Sequence, residues 1–391
     1  MNNSALDLLD VSLTRGGIFY QLQERLRIVN ANDRPIVVRS AVFALIAFVP
    51  LVALAAIQGL ALNEDTHRSL LLDFNVYARL LVAVPIFTLA ENTIDDRYVI
   101  MTSYFRNSGI VEEADIGRYQ AMLESTQRLL FSRLAEAILL IIAYLGSLIS
   151  LSWDLRADVV SWRTNAGSGV TFAGAWFFFI SLPLFFFLIV RWAWRFLIWA
   201  VFLWRLATLK LRLVPTHPDG VGGLGVLAES TNAVSPIIFG LSATIASAWG
   251  NHLMYGGHKL SEYQMPCVAI VVGAVGLAVF PVIVFTSRLL RLKLHGLHDY
   301  GVLANRHSLF FEEKWVLHAR ENMHELLGTQ DVSSLADLGA GYQTVAGIRF
   351  VPVRLRNIMA VVVAVVIPML PLLLIEFPLQ ELLIKIGGAL L

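Results

Sequence analysis

The amino-acid sequence predicts an all-α, polytopic membrane protein with about seven transmembrane helices. Three observations lead to this fold class. The 391 residues are 57% hydrophobic and only 15% charged, whereas charged residues make up about 25% of a typical soluble domain. Seven apolar runs are each long enough to cross about 30 Å of hydrocarbon as a helix. Finally, 24 of the 30 Lys and Arg residues lie in the segments on one side of these runs.

The predicted spans fix an orientation through the distribution of their flanking charges. Basic segments stay in the cytoplasm, so we expect a cytoplasmic N-terminus and an external C-terminus. No cleavable signal-peptide pattern precedes the first span, and we expect a multi-pass protein of a bacterial inner (cytoplasmic) membrane. The predicted spans cover residues 40–61, 74–91, 134–153, 172–190, 232–250, 266–287 and 357–375.

The spans are arranged as three, one and three, which divides the chain into five segments. Because the fourth span intervenes, the two three-span halves have the same orientation, and their return spans both contain a proline, Pro85 and Pro281. This similarity suggests a parallel internal repeat. The predicted segments are a cytoplasmic amphipathic segment (1–39), a first half (40–153) with a cytoplasmic helical segment (92–133), the fourth span with an interfacial helix and a glycine-rich loop (154–231), a second half (232–375) with a cytoplasmic helical segment (288–356), and an external tail (376–391).

Polar residues within the spans are the first candidates for a functional site. Arg79 is the only cation inside a predicted span, where a central arginine costs about 2.5–3.5 kcal/mol on insertion scales. It either snorkels to water beside Asp73 or lies on a transport pathway. Prolines in most spans indicate kinks, which suit a pore or a moving transporter as well as ordinary packing. The fifth span presents a hydroxyl-rich surface, for a polar path or for tight helix packing, formed by Ser235, Ser242, Thr244, Ser247 and Asn251.

Other residues of the spans have simpler interpretations. Glu91 lies at the end of the second predicted span, where a charge costs little. Gly273 and Gly276 in the sixth span predict a close approach of that helix to a neighbour.

The aromatic and basic segment that follows the fourth span predicts an interfacial helix. Arg191 and Arg195 recur on one helical face among tryptophans. We expect the span to end near Arg191 and residues 192–212 to lie along the inner leaflet, with tryptophan rings at headgroup level and arginines facing anionic lipid. The alternative is a binding site for an anion or a lipid headgroup, lined by Arg191, Arg195, Arg205, Lys210 and Arg212.

A glycine-rich loop precedes the fifth span. Its glycines permit positive φ angles, and such a loop at the start of a helix can direct N–H groups at a phosphate or carboxylate. Alternatively, its aspartate caps these backbone donors itself. No strand precedes the loop and it lacks the Gly-Lys-Ser/Thr ending of a P-loop, so nucleotide binding is not indicated. The candidate ligand or lipid residues are His217, Asp219, Gly220, Gly222, Gly223 and Gly225.

This loop also carries a resemblance to known sequences. The pattern HPDxxGGLG, with a basic helix before it and a span after it, resembles one found in uncharacterised bacterial polytopic inner-membrane proteins. The resemblance implies no activity.

Histidines within the second cytoplasmic segment form an alternative site. Glu321 and His324 are three residues apart and share a helix face, as in di-iron bundles, and His307 and His318 lie before them. However, segment 92–133 contains no histidine, and a solvated polar helix face also explains the pattern. No cofactor and no catalytic residue is identified.

These observations favour a channel or transporter for a small ion or solute, and an enzyme is the less favoured class. The alternatives are a cytoplasmic-face metal-dependent enzyme acting on lipid, and a membrane scaffold or signalling subunit. The expected partners are the lipid bilayer, anionic headgroups of the inner leaflet, the transported ion or solute, and further copies of the chain. Nucleic acid is not expected, because the net charge is only +1 and the basic residues are spread over every cytoplasmic segment.

Overall fold

The computed structural model describes residues 36–63, 69–156, 160–165, 169–317 and 330–376. Over these ranges the chain forms helices almost throughout, with a short 3-10 turn at Leu70–Leu72 and one antiparallel pair of two-residue strands, β1 (Thr164–Asn165) and β2 (Gly169–Val170). The helices are α1 (Ile36–Ile57), α2 (Phe74–Asn107), α3 (Glu113–Leu130), α4 (Arg133–Arg156), α5 (Phe172–Leu206), α6 (Leu224–Tyr255), α7 (Leu260–Leu317), α8 (Gln330–Ala346) and α9 (Leu355–Glu376).

Seven of these helices, α1, α2, α4, α5, α6, α7 and α9, are long and apolar enough to cross a membrane. The predicted fold class is therefore confirmed. Every predicted span lies inside one of these helices, except that α1 ends at Ile57 and leaves out residues 58–61. The predicted amphipathic helix near the N-terminus and the predicted external tail from residue 377 lie outside the described residues.

The two ends of the helix bundle differ. At one end, which we call the extended end, α2, α5 and α7 continue well beyond their apolar stretches. There α3 packs on α5 and α8 packs on α7. At the other end, which we call the loop end, the described residues between the spans are 58–63, 69–73, 160–165, 169–171 and 256–259. The continuation of α2 and α7 agrees with the predicted helical extensions, although 318–327 lies outside the described residues.

Four prolines coincide with local changes of helix geometry, whereas Pro50 lies in regular α-helix. Proline has no N–H group, and its ring clashes with the carbonyl one turn earlier. The helix adjusts by widening into π turns just before Pro85 and Pro183, and by tightening into 3-10 turns around Pro281 and Pro368. These turns cover Ala78–Ala83, Phe177–Ser181, Phe280–Phe285 and Ile367–Met369.

Helix α2 lies at the centre of the bundle, where it packs against α1, α5 and α6. Gly240 of α6 abuts the ring of Phe87 so closely that a Cβ atom there would lie 2.6 Å from Cε1. Phe87 is fully buried and stacks on Phe185 of α5. By contrast, a Cβ atom on Gly273 or Gly276 would meet nothing within 4 Å. The predicted close approach at those two glycines is wrong, because they face away from neighbouring helices.

The structure differs from the sequence prediction in the fourth span. Helix α5 does not end near Arg191 but continues as one helix to Leu206, so no separate interfacial helix begins at residue 192. The predicted repeat gains no support from the main helix contacts. The first span α1 packs on α2, whereas its counterpart α6 packs on α9. The repeat stays a prediction.

Candidate functional site

Four charged side chains from three helices meet inside the bundle. The carboxylate of Glu91 on α2 accepts hydrogen bonds through Oε1 from Nη1 of Arg191 at 2.7 Å and from Nη1 of Arg195 at 3.0 Å, both on α5. Its Oε2 accepts a hydrogen bond from Nη2 of Arg39 on α1 at 2.5 Å. We call these four residues the arginine–glutamate cluster. One carboxylate therefore binds three guanidinium groups.

The positions of these residues in their helices explain why they meet. Arg191 and Arg195 are four residues apart, so they project from the same face of α5. Arg39 is in the first turn of α1, at the extended end. Glu91 lies 17 residues after Phe74, the first residue of α2, which places it about 26 Å along the helix. The cluster is thus near the extended-end boundary of the apolar layer.

The cluster is almost completely shielded from solvent. The side chain of Glu91 is 4% exposed and those of the three arginines are 9% exposed or less. The Trp192 indole donates to the carbonyl of Phe87 at 3.0 Å and its ring lies 4.9 Å from the Arg195 guanidinium. Removing charges from water costs several kcal/mol per ion. The mutual hydrogen bonds must therefore offset a large desolvation penalty.

A second buried carboxylate extends the cluster. Asp95, one turn beyond Glu91 on α2, is buried and interacts electrostatically with Arg195. Guanidinium groups present planar pairs of N–H donors that match carboxylates and other oxyanions. Three guanidinium groups converging on one point are therefore the chemistry of an anion site, and in this structure Glu91 supplies the anion.

The sequence interpretation missed this cluster. It treated Glu91 as an inexpensive charge at a span end. It placed Arg191 and Arg195 either against anionic lipid or in a site for an anion or headgroup, and linked neither to Glu91. Glu91 is 52 residues from Arg39 and 100 from Arg191, so no local pattern links them. The sequence did contain one indication of the cluster. Glu91, Arg39 and Arg191 carry opposite charges and lie at similar depth, near the same end of three predicted spans. Arg191 and Arg195 bind a buried carboxylate, so their charges are compensated without a bend of α5 toward the lipid headgroups.

Arg79, the predicted pathway charge, lies in the π turn of α2. Its guanidinium is 5.8 Å from the ring centroid of Phe185 and within electrostatic range of Asp73 and Arg163. Asp73 itself accepts hydrogen bonds from the Trp162 indole at 3.1 Å and from the Asn251 amide at 2.8 Å. The structure thus places Arg79 near a polar group of residues at the loop end, and its pathway role stays a prediction.

The hydroxyl-rich surface of α6 makes contacts between helices. Ser242 donates to the carbonyl of Val365 on α9 at 2.6 Å, and Ser247 donates to Asn75 on α2 at 2.9 Å. Asn251 joins α6 to Asp73. The remaining two residues make hydrogen bonds within α6: Thr244 donates to its own helix, and Ser235 lies 3.3 Å from Asn232. These bonds support the packing interpretation, while a polar path along these residues stays a prediction.

The glycine-rich loop is organised around the carboxylate of Asp219. It accepts hydrogen bonds from the backbone N–H groups of Val221 at 2.9 Å, Gly223 at 3.1 Å and Gly225 at 2.8 Å. Burial opposes ionisation of Asp219, but these backbone hydrogen bonds, together with the His217 side chain, hold its pKa below the ordinary value. The interpretation of Asp219 as a cap is therefore confirmed.

The glycines let this loop pack tightly. Gly220, Gly222 and Gly223 have positive φ angles of 66°, 67° and 98°, which side chains with a Cβ rarely adopt. A Cβ on Gly222 would also lie 2.5 Å from Leu292 of α7. A cavity of about 300 Å³ remains beside the loop, lined by residues that include Tyr104, Arg212, His217, Gly222 and Gly223. Binding of a ligand there stays a prediction.

The alternative metal site is only partly within the described residues. Nε2 of His307 lies 3.2 Å from the hydroxyl of Ser334 on α8, whereas His318, Glu321 and His324 lie outside the described residues. Within the described part of the chain, no group of three or more His, Cys, Asp or Glu side chains is arranged to hold a metal ion. Metal binding by this set stays a prediction.

Comparisons with known proteins complete the description of the site. Neither models of protein families, nor curated protein sequences, nor solved structures give a match to this chain. The resemblance of the HPDxxGGLG loop to bacterial inner-membrane proteins stays a prediction.

Proposed function

We propose that this protein transports a small anion across a membrane and that the arginine–glutamate cluster is its anion-binding site. The observation that supports the proposal most strongly is the binding of one buried carboxylate by three guanidinium groups. Charged groups at membrane depth are costly and typically belong to ion or substrate pathways. A cluster of predominantly positive groups selects for anions.

In this proposal Glu91 is a tethered anion that occupies the site when no transported anion is present. An incoming anion takes the place of the Glu91 carboxylate against Arg191 and Arg195. The incoming anion then accepts the hydrogen bonds that Glu91 accepted before. The guanidinium groups are therefore always hydrogen-bonded to an anion, first to Glu91 and then to the transported anion. Their desolvation penalty is then not incurred again at each transport cycle.

The same helices contain the elements that a transport cycle requires. On the loop-end side of the cluster, four fully buried residues of α2 close the path that a transported anion would take. They are Leu80, Ala83, Val84 and Phe87. The π turns of α2 and α5 lie in this closed region, and π turns are frequent at functional sites. A change between π and α geometry at these turns would move buried side chains without unfolding a helix.

The orientation of the protein forms part of the proposal. We infer that the extended end faces the cytoplasm of a bacterial cell. The segments predicted to be cytoplasmic carry 24 of the 30 Lys and Arg residues, their described parts lie at that end, and basic segments are retained inside. The cluster would then lie nearer the cytoplasmic side, and an anion would approach it from there once the bundle opens at that end.

The proposal is tested by anion flux into vesicles that contain the purified protein. Chloride, nitrate, acetate and phosphate are offered in turn, and uptake is compared with empty vesicles. We expect flux of at least one anion. Arg195→Gln should reduce that flux about tenfold or more, since a lost charge-assisted hydrogen bond changes binding by about that factor.

The matched control is Arg128→Gln, which removes the same charge from an arginine whose side chain is 77% exposed. Flux through this variant should equal that of the wild type. If no anion is transported, or if both arginine variants transport equally, the cluster is not the site of anion transport.

A further inference from the structure

A lateral groove lies between α2, α6 and α9, separate from the arginine–glutamate cluster. It has a volume of about 550 Å³. Val363 and Ile367 on its rim are 45% and 48% exposed, so the groove opens toward the side of the bundle, where lipid surrounds a membrane protein. Most of its walls are apolar, including Ile86, Leu89, Phe239, Val363, Ala364 and Ile367.

The polar residues of the groove are confined to its extended end. Thr93, Arg97, Asn232 and Ser235 line this part. Within the described ranges, Arg97 makes no hydrogen bond and no ion pair. Its guanidinium group is therefore available to an anionic partner, and the neighbouring amide and hydroxyl groups provide further hydrogen bonds.

The length of the groove matches one leaflet of a bilayer. Ile86 and Arg97 mark its two ends on α2 and are 11 residues apart, which corresponds to about 16 Å along a helix. Half of the hydrocarbon thickness is about 15 Å. A lipid whose phosphate lies at Arg97 would therefore lay an acyl chain along the whole apolar part.

The wall of the groove is held in place independently of any lipid. The Asn357 amide on α9 donates a hydrogen bond to the carbonyl of Ala228 on α6, and Arg356 pairs with Glu229 at 3.7 Å. These contacts join the two helices at the polar end. The groove is consequently a preformed surface and need not be created by its ligand.

From these observations we infer that the groove between α2, α6 and α9 binds one anionic glycerophospholipid of the leaflet at the extended end, with its phosphate on Arg97. This site does not depend on the proposed anion transport. The sequence had assigned anionic lipid to Arg191 and Arg195, which are buried in the cluster, whereas Arg97 faces a groove of lipid dimensions.

The test uses the full chain reconstituted in vesicles of equal parts phosphatidylglycerol and phosphatidylethanolamine. After extraction in mild detergent, native mass spectrometry measures the lipids that remain bound. The wild type should retain one lipid with a preference for phosphatidylglycerol. Arg97→Gln should lower that preference about tenfold, whereas Arg128→Gln should leave it unchanged.

A second variant tests the apolar part of the groove. Ala360→Phe places a ring in the groove, and it should reduce retention of both lipids while Arg97 is intact. Equal phosphatidylglycerol preference in Arg97→Gln and Arg128→Gln would overturn the assignment. Recovery of a lipid-free dimer, with a second copy covering the groove, would overturn it as well.

Discussion

Glu91 provides the sharpest test of the cluster because a single substitution removes the group that three arginines share. In Glu91→Gln the shape of the side chain is retained, but its charge is lost while Arg39, Arg191 and Arg195 remain buried. Breaking a buried ion pair by removing one partner costs about 3–5 kcal/mol. With three charge-assisted hydrogen bonds affected, at 2.5, 2.7 and 3.0 Å, we expect the loss in free energy of unfolding to lie in this range.

The expected change can be measured as a shift in the melting temperature of the purified protein. For 391 residues, the specific unfolding entropy of globular proteins converts a loss of 3–5 kcal/mol into a decrease of about 4–6 °C. The fluorescence of the nine tryptophans reports the transition. The double variant Glu91→Gln, Arg195→Gln should recover part of the loss, because one of the uncompensated charges is then absent.

Glu124→Gln is the matched control. Glu124 pairs with Arg128 at 3.5 Å, but both side chains are more than half exposed, and such surface pairs contribute about 0.2–1 kcal/mol. Its melting temperature should fall by about 1 °C or less. Equal, small shifts in Glu91→Gln and Glu124→Gln would contradict a stabilising role of the cluster, since the buried carboxylate would then contribute no more than an exposed one.

Three further predictions concern other parts of the bundle. Ser242→Ala should lower the free energy of unfolding by about 0.5–1.5 kcal/mol, because a buried hydrogen bond to α9 is lost; Thr244→Ala, which loses a bond within its own helix, should cost less in the same denaturation assay. Asp219→Ala should cost about 1–2 kcal/mol near neutral pH, as for other lost caps. Because the folded-state pKa of Asp219 is lowered, this contribution is present above about pH 4, the range of an unfolded aspartate, and is lost as the pH falls through the folded pKa; a wild-type advantage that persisted in acid would contradict the capping role. Gly225→Ala should cost about 1–3 kcal/mol through steric overlap, since its Cβ would lie 2.9 Å from Asp219, whereas Gly273→Ala, with nothing within 4 Å, should be neutral or slightly stabilising in the same melting experiment.

The features that the sequence predicted correctly depend on local patterns. Each span requires only a continuous apolar run, and all seven were predicted close to their observed positions. The role of Asp219 follows from its spacing to the backbone N–H groups of Val221, Gly223 and Gly225, two to six residues later along the chain. Burial in a membrane and capping of a loop are decided by neighbours in the sequence, so one sequence is enough to predict them.

The features that were missed depend on contacts between distant parts of the chain. The partners of Glu91 are three arginines on two other helices, and their distances follow from how the spans pack. The packing around glycines is equally hard to predict from one sequence. Gly240 permits the close contact with Phe87, whereas Gly273 faces open space, and nothing in their local sequences distinguishes the two. A pairing of opposite charges at equal membrane depth is the one sequence feature that could have indicated the cluster in advance.

In our proposal the three guanidinium groups form an anion site that Glu91 occupies. A crystal structure of Glu91→Gln grown in bromide tests it directly, because bromide is located by its anomalous scattering. We expect a bromide peak within hydrogen-bonding range of Arg39, Arg191 and Arg195. Ordered guanidinium groups with no anion between them, in crystals that bind bromide elsewhere, would contradict it.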